Sequence, residues 1–154
     1  MAATLAALGA ALRATYLAPL AALPAAAALP ACRNNSVDVA LTPVGAPFDQ
    51  VVITEDLAVS GQVVAAFSLE VEFAAAPGLW APLPGSLVAG GSTVGARATA
   101  LTGAAVSGAS RLRFTCTASV DPADATPVTI STFSAFLSAP PPAPPPAGPL
   151  PSGA

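Results

Sequence analysis

The sequence predicts an all-β protein, an antiparallel β-sandwich with irregular N- and C-terminal tails. Three observations point there. Apolar side chains alternate with polar ones in several short stretches, turn dipeptides separate those stretches, and no convincing helical period lies between them. The 154 residues suit one domain with tails.

The N-terminal segment, 1–31, is rich in Ala and Leu and broken by Pro19, Pro24 and Pro30. An uncharged run of 19 residues from Ala14 to Cys32 approaches a membrane-spanning length. Its prolines make it a poor transmembrane helix, so no membrane span is expected. The segment reads either as a weak secretory signal, with Arg13 before the apolar stretch, or as a disordered N-terminus lying outside the core. The second is the expected reading. A secreted or secretory-pathway location is only slightly favoured.

The folded unit is expected over 36–138. Val37, Val39 and Leu41 alternate with Ser36, Asp38 and Ala40; Phe67, Leu69, Val71 and Phe73 alternate with Ser68, Glu70 and Glu72. Leu112, Phe114 and Cys116 alternate with Arg111, Arg113 and Thr115. Successive strand side chains point to opposite faces, so each stretch has one dry and one wet face. Further strands are expected at Gln50–Thr54, Arg97–Leu101 and Val128–Leu137. Turn signals punctuate the chain at Pro77-Gly78, Pro84-Gly85, Gly90-Gly91, Ser107-Gly108 and Asp121-Pro122. Phe67, Leu69, Val71, Leu112, Phe114 and Ile130 are the expected core. Residues 139–154 hold six prolines within the first eight positions, which favours a polyproline II spacer or tail.

Composition excludes several functions. Five arginines, no lysine and eight acids leave a net charge of −3, which argues against a nucleic-acid partner. Histidine is absent, which removes the commonest general base and metal ligand. No serine can therefore belong to a Ser-His-Asp triad, two cysteines cannot by themselves close a structural zinc site, and no cofactor motif is present. No catalytic, metal or cofactor residue is expected.

The remaining candidates each have a plain structural reading. Glu55 and Asp56 are adjacent, so on a strand they diverge, as at a strand end and turn. Glu70 and Glu72 share one face and are expected in solvent, with Arg111 and Arg113 available to pair with them across the sheet. Trp80, the single tryptophan, is expected as a core anchor, with a solvent-facing platform for a sugar ring as the alternative. Cys32 and Cys116 are expected as free thiols, a disulfide between them being the alternative in a secreted chain. Asn34-Asn35-Ser36 is an N-glycosylation sequon on Asn34.

Several blocks together carry a resemblance. Phe48-Asp49-Gln50-Val51-Val52-Ile53-Thr54-Glu55-Asp56-Leu57 resembles the "FDRVVLQEDI" segment of α-L-fucosidases of glycoside hydrolase family twenty-nine. Gly61-Gln62-Val63-Val64-Ala65-Ala66-Phe67-Ser68-Leu69-Glu70 is similar to "GQRVRAFRVE", and Trp80 with Leu83 to a "W..L" element. Gly91-Ser92-Thr93-Val94-Gly95-Ala96-Arg97 resembles "GTTIGYKR", Ala109-Ser110-Arg111-Leu112-Arg113-Phe114 resembles "ARRLRL", and Pro127–Leu137 resembles "PPLISEFGLY". The blocks keep the family's order across 47–137. The resemblance implies the C-terminal jelly-roll sandwich of galactose-binding, discoidin-like type that accompanies a catalytic barrel in that family. A barrel needs roughly 200 residues or more, so the catalytic carboxylates have no counterpart here. The implied function is a non-catalytic accessory sandwich that supports a glycosidase barrel or binds carbohydrate. The alternative is a stand-alone carbohydrate-binding or interaction module.

Overall fold

The structure is a computed structural model that describes residues 6–7, 9–10, 19–22, 25–85, 91–92, 94–95 and 97–138. The expected polyproline tail, 139–154, lies outside the described residues. Among the described residues ten strands pair antiparallel into two sheets, six of them where the alternation and turn signals predict strands. The first sheet runs β1 (Ala21–Ala22), β10 (Val128–Phe136), β4 (Phe48–Glu55), β8 (Ala98–Val106), with β2 (Ala27–Leu29) also on β10. The second runs β3 (Asn35–Ala40), β9 (Ala109–Ser119), β5 (Val64–Phe73), β6 (Trp80–Pro82), with β7 (Gly91–Ser92) also on β5. A four-residue helix, α1 (Leu57–Ser60), joins β4 to β5. Among the described residues no helix is long and apolar enough to cross a membrane.

Each sheet buries one face against the other. Phe67, Leu69, Val71, Leu112, Phe114 and Ile130 are all buried, as their spacing predicts. Phe114 joins the sheets: its ring centroid lies 5.5 Å from that of Phe67 in its own sheet and 6.4 Å from that of Phe133 on β10 opposite. Bulges reset the inward register where the sequence period breaks. On β10 the inward set passes from Val128 and Ile130 to Phe133 and Ala135, across a register shift between Ile130 and Thr132. On β4 a shift between Phe48 and Gln50 turns Val51, Ile53 and Glu55 inward after Phe48.

Two expectations are corrected here. The part of 1–31 that forms β1 and β2 does not lie outside the core. Ala21 stands opposite Ala135 and Leu29 opposite Val128, and both Ala21 and Leu29 are buried. Without them the outer edge of β10 would leave its N–H and C=O groups unpaired. Cys32 and Cys116 are not free thiols; they form a disulfide. The pairing of β3 with β9 sets Asn35 opposite Cys116, and the Asn34 N–H donates to the Cys116 carbonyl at 3.0 Å. The chain just before β3 thus carries Cys32 to a Cα–Cα distance of 5.1 Å from Cys116. The Asp124 carboxylate holds the same corner, accepting from the Cys32 and Arg33 N–H groups at 3.0 and 2.9 Å.

The adjacent acids fall as their spacing predicts. Glu55 closes β4, and the Asp56 side chain caps α1 by accepting from the Ala58 N–H at 3.1 Å.

Candidate carbohydrate-contact surface

The outer face of the second sheet collects most of the chemistry-bearing residues singled out in the sequence. Strand pairing aligns them in two rows. One row crosses Asp38, Arg113, Glu70 and Pro82; the next crosses Ala40, Arg111, Glu72 and Trp80. Because Phe67, Leu69 and Val71 point inward, Glu70 and Glu72 point outward, and Trp80 opposite Glu72 shares that face.

The guanidinium groups are fixed on the acids. Arg113 donates through Nε and Nη2 to the two oxygens of Asp38 at 2.7 and 2.8 Å, a bidentate pair. Arg111 donates through Nε to Glu72 Oε2 and through Nη2 to Oε1 at 2.8 Å. The Gly78 N–H, from the turn between β5 and β6, also donates to Glu72 Oε1. Ser110 Oγ donates to Oε2 at 3.3 Å. Glu72 is therefore buried beneath its partners rather than solvated, which corrects the expectation for it. The Arg111 hydrogen bonds, followed by that from Gly78, hold its carboxyl down at about 2. The same pair raises Arg111 above the ordinary arginine value, and Asp38 does so for Arg113. Of the expected pairings of Arg111 and Arg113 with Glu70 or Glu72, Arg111 makes the one with Glu72, whereas Arg113 takes Asp38 on β3 instead.

Trp80 is not a core anchor. It is half-buried on the outer face, since β6 is a three-residue edge strand whose first residue matches the outward parity of Glu72. The Arg113 guanidinium carbon sits 3.9 Å from the centroid of the indole ring and that of Arg111 5.2 Å away. Leu79 beside it is exposed. The result is a rigid aromatic platform held by cations that are themselves held by carboxylates. The part of the ring left open can stack on the apolar face of a sugar, and Arg111, 43% exposed, can donate to hydroxyls.

Other candidates lie elsewhere. Asn34 is exposed ahead of β3. Glu55 is buried at the far end of the first sheet, where Oε1 accepts from the Val63 and Val64 N–H groups at 2.5 and 3.2 Å. Oε2 has no hydrogen-bond partner among the described residues, and burial pushes this carboxyl up. The sequence carries no sign of that burial, because the bulge that turns Glu55 inward is a property of the pairing with β8. A cleft of about 380 Å³ between the ends of β4, β8 and β10, lined by Asp49, Gln50, Leu101, Gly103, Ala104 and Ser138, was likewise not legible in the sequence. Asp49 Oδ1 is already taken there by the Ser138 N–H at 2.8 Å. Among the described residues no group of three or more Cys, Asp or Glu side chains could hold a metal ion.

No protein-family model matches the sequence, and no curated protein is significantly similar to it. Solved structures do share its fold. A Bacteroides ovatus protein assigned as an α-L-fucosidase superposes with a TM-score of 0.65 at 18% identity, over 84% of this chain and 19% of that one. A Ruminococcus gnavus fucosidase of glycoside hydrolase family twenty-nine, in complex with fucose, gives 0.62 at 18% identity, over 85% and 29%. A Bacteroides thetaiotaomicron protein assigned as an α-L-fucosidase gives 0.60 at 16% identity, over 84% and 31%. This chain thus spans less than a third of the length of each. Of the fold that the resemblance implies, the antiparallel two-sheet sandwich is observed, and it matches a 19–31% share of these fucosidase chains.

Proposed function

We propose that the chain is a non-catalytic accessory β-sandwich of the type that accompanies a glycosidase barrel, with the Trp80 face as its contact for carbohydrate. The observation that carries the reading is the fold match itself, which takes up most of this chain and a minor share of each fucosidase chain. The platform supports the carbohydrate half of the reading. A half-exposed indole braced by Arg111 and Arg113 combines stacking with hydroxyl donors on one flat face. Support of a barrel is the second reading, favoured by the limited share of the fucosidase chains that this chain matches.

The test is a glycan array and a fucose titration on the purified chain, wild type against Trp80→Ala. Truncating an aromatic anchor at the centre of a contact costs about 2 kcal/mol or more, so affinity should fall at least tenfold. Binding that is unchanged in Trp80→Ala removes the platform from the contact. Absence of binding to any glycan leaves barrel support as the reading. That reading then requires the chain to raise the melting temperature of a separately produced family twenty-nine barrel.

A further inference from the structure

We infer that Asn34 is an attachment site for an N-linked glycan, a modification independent of the carbohydrate-contact reading. Asn34 and Asn35 are the only asparagines of the chain, and Asn34-Asn35-Ser36 is its only Asn-X-Ser/Thr triplet. Asn34 is exposed, at the point where the chain turns into β3 with φ at 63°. The turn is braced on both sides. The disulfide and the Asp124 carboxylate hold residues 32 and 33, and β3 is locked to β9 from Asn35 onward. The Asn34 side-chain amide makes no hydrogen bond among the described residues, whereas the Asn35 amide is engaged with the Arg33 carbonyl at 3.3 Å. The second, independent observation is the disulfide. A fully buried Cys32–Cys116 bridge, closing a separation of 84 residues, belongs to an oxidising folding compartment, which is also where sequons are used.

The transfer balances with one co-substrate, an oligosaccharide on a polyprenyl diphosphate. The Asn34 amide nitrogen attacks C1 of the reducing-end sugar. The C1–O bond to the diphosphate breaks, and polyprenyl diphosphate leaves with that electron pair. One amide proton passes to a base of the transferase, and nothing is oxidised or reduced. In the folded sheet Ser36 Oγ lies 2.9 Å from Thr115 Oγ1, so transfer precedes the docking of β3 on β9, and the exposed turn at Asn34 then leaves room for the glycan in the folded chain. The glycan then stands at the head of β3, the strand that ends the second sheet, where bulk and polarity oppose the addition of a foreign strand.

The experiment expresses the full chain behind a cleavable secretory leader in eukaryotic cells. Intact mass is read before and after peptide N-glycosidase, on secreted protein or, for retained protein, on the microsomal fraction. The expected result is a single glycan lost on treatment, leaving aspartate at 34. Ser36→Thr keeps the glycan; Ser36→Ala and Asn34→Asp abolish it. Asn34→Asp retains a residue that tolerates the left-handed backbone, and non-reducing electrophoresis verifies the disulfide in each variant. Wild-type protein that carries the disulfide and an unmodified Asn34 overturns the proposal.

Discussion

Glu55 and Glu72 are both buried glutamates, and their surroundings push them in opposite directions. Glu72 is held down at about 2 by Arg111 and Gly78. A lowered folded value means that the ionised form is bound more tightly in the folded chain. Its contribution is present above the ordinary value of 4.5 and is lost as pH falls toward 2. The melting-temperature gap between wild type and Glu72→Gln should therefore be full above about pH 5 and close on acidification. A gap independent of pH would show that the Arg111 pair does not stabilise the fold. Glu55 is raised by burial, with the Val63 and Val64 N–H groups opposing that shift. Here the folded chain favours the proton, so wild type is at its best at low pH and loses ground as pH rises through the raised value. Glu55→Gln, which mimics the protonated acid, should gain on wild type as pH rises above the ordinary value of 4.5. A gain on wild type that runs the other way would show that the two N–H donors outweigh desolvation.

At the scale of elements, β9 is the spine of the second sheet and β10 of the first. Phe114 is fully buried between Phe67 and Phe133, so Phe114→Ala should cost about 3–5 kcal/mol in denaturant melts. A loss under about 1 kcal/mol would mean that the site collapses around the void. The disulfide ties the approach to β3 onto β9. Replacing both Cys32 and Cys116 by Ala should cost roughly 2–5 kcal/mol, measured under non-reducing conditions. Deleting 1–31 removes β1 and β2 from β10 and the buried side chains of Ala21 and Leu29. The denaturant midpoint should drop. An unchanged midpoint would show that β10 tolerates an open edge.

For the whole molecule, the expectation concerns chemistry. A retaining glycosidase holds two carboxyl groups about 5–5.5 Å apart, one of them a proton donor with a raised pKa. The acids of the platform do not meet that need. Glu72 is locked in its arginine pair as the ionised form, and the raised acid, Glu55, is buried in the first sheet, away from the outer face of the second where Glu72 lies. The purified 154-residue chain should release no nitrophenol from a nitrophenyl fucoside above a denatured control. Turnover that disappears in Glu70→Gln or Glu72→Gln would overturn the non-catalytic reading.

The sequence by itself determined the fold class and the inward faces of β5 and β9, because period-two alternation is local. Phe67, Leu69, Val71, Leu112 and Phe114 had only to be counted. It also determined that Arg111 and Glu72 could pair, since both sit on the polar side of their strands. Tertiary structure alone decided the rest. The inward turn of Glu55 depends on where β4 slips against β8, and that of Phe133 on where β10 slips against β4. The burial of Glu72 depends on a turn that folds back over it, and the exposure of Trp80 on a strand too short to show a period. The β1 and β2 strands are alanine-rich and carry almost no hydrophobic contrast, so only the unpaired edge of β10 recruits them. Cys32 and Cys116 stand 84 residues apart, and their bridge follows from the register of β3 on β9. For the bulges, the recruited edge strands and the disulfide the deciding contact joins residues distant in the chain, and local pattern does not encode register between distant strands.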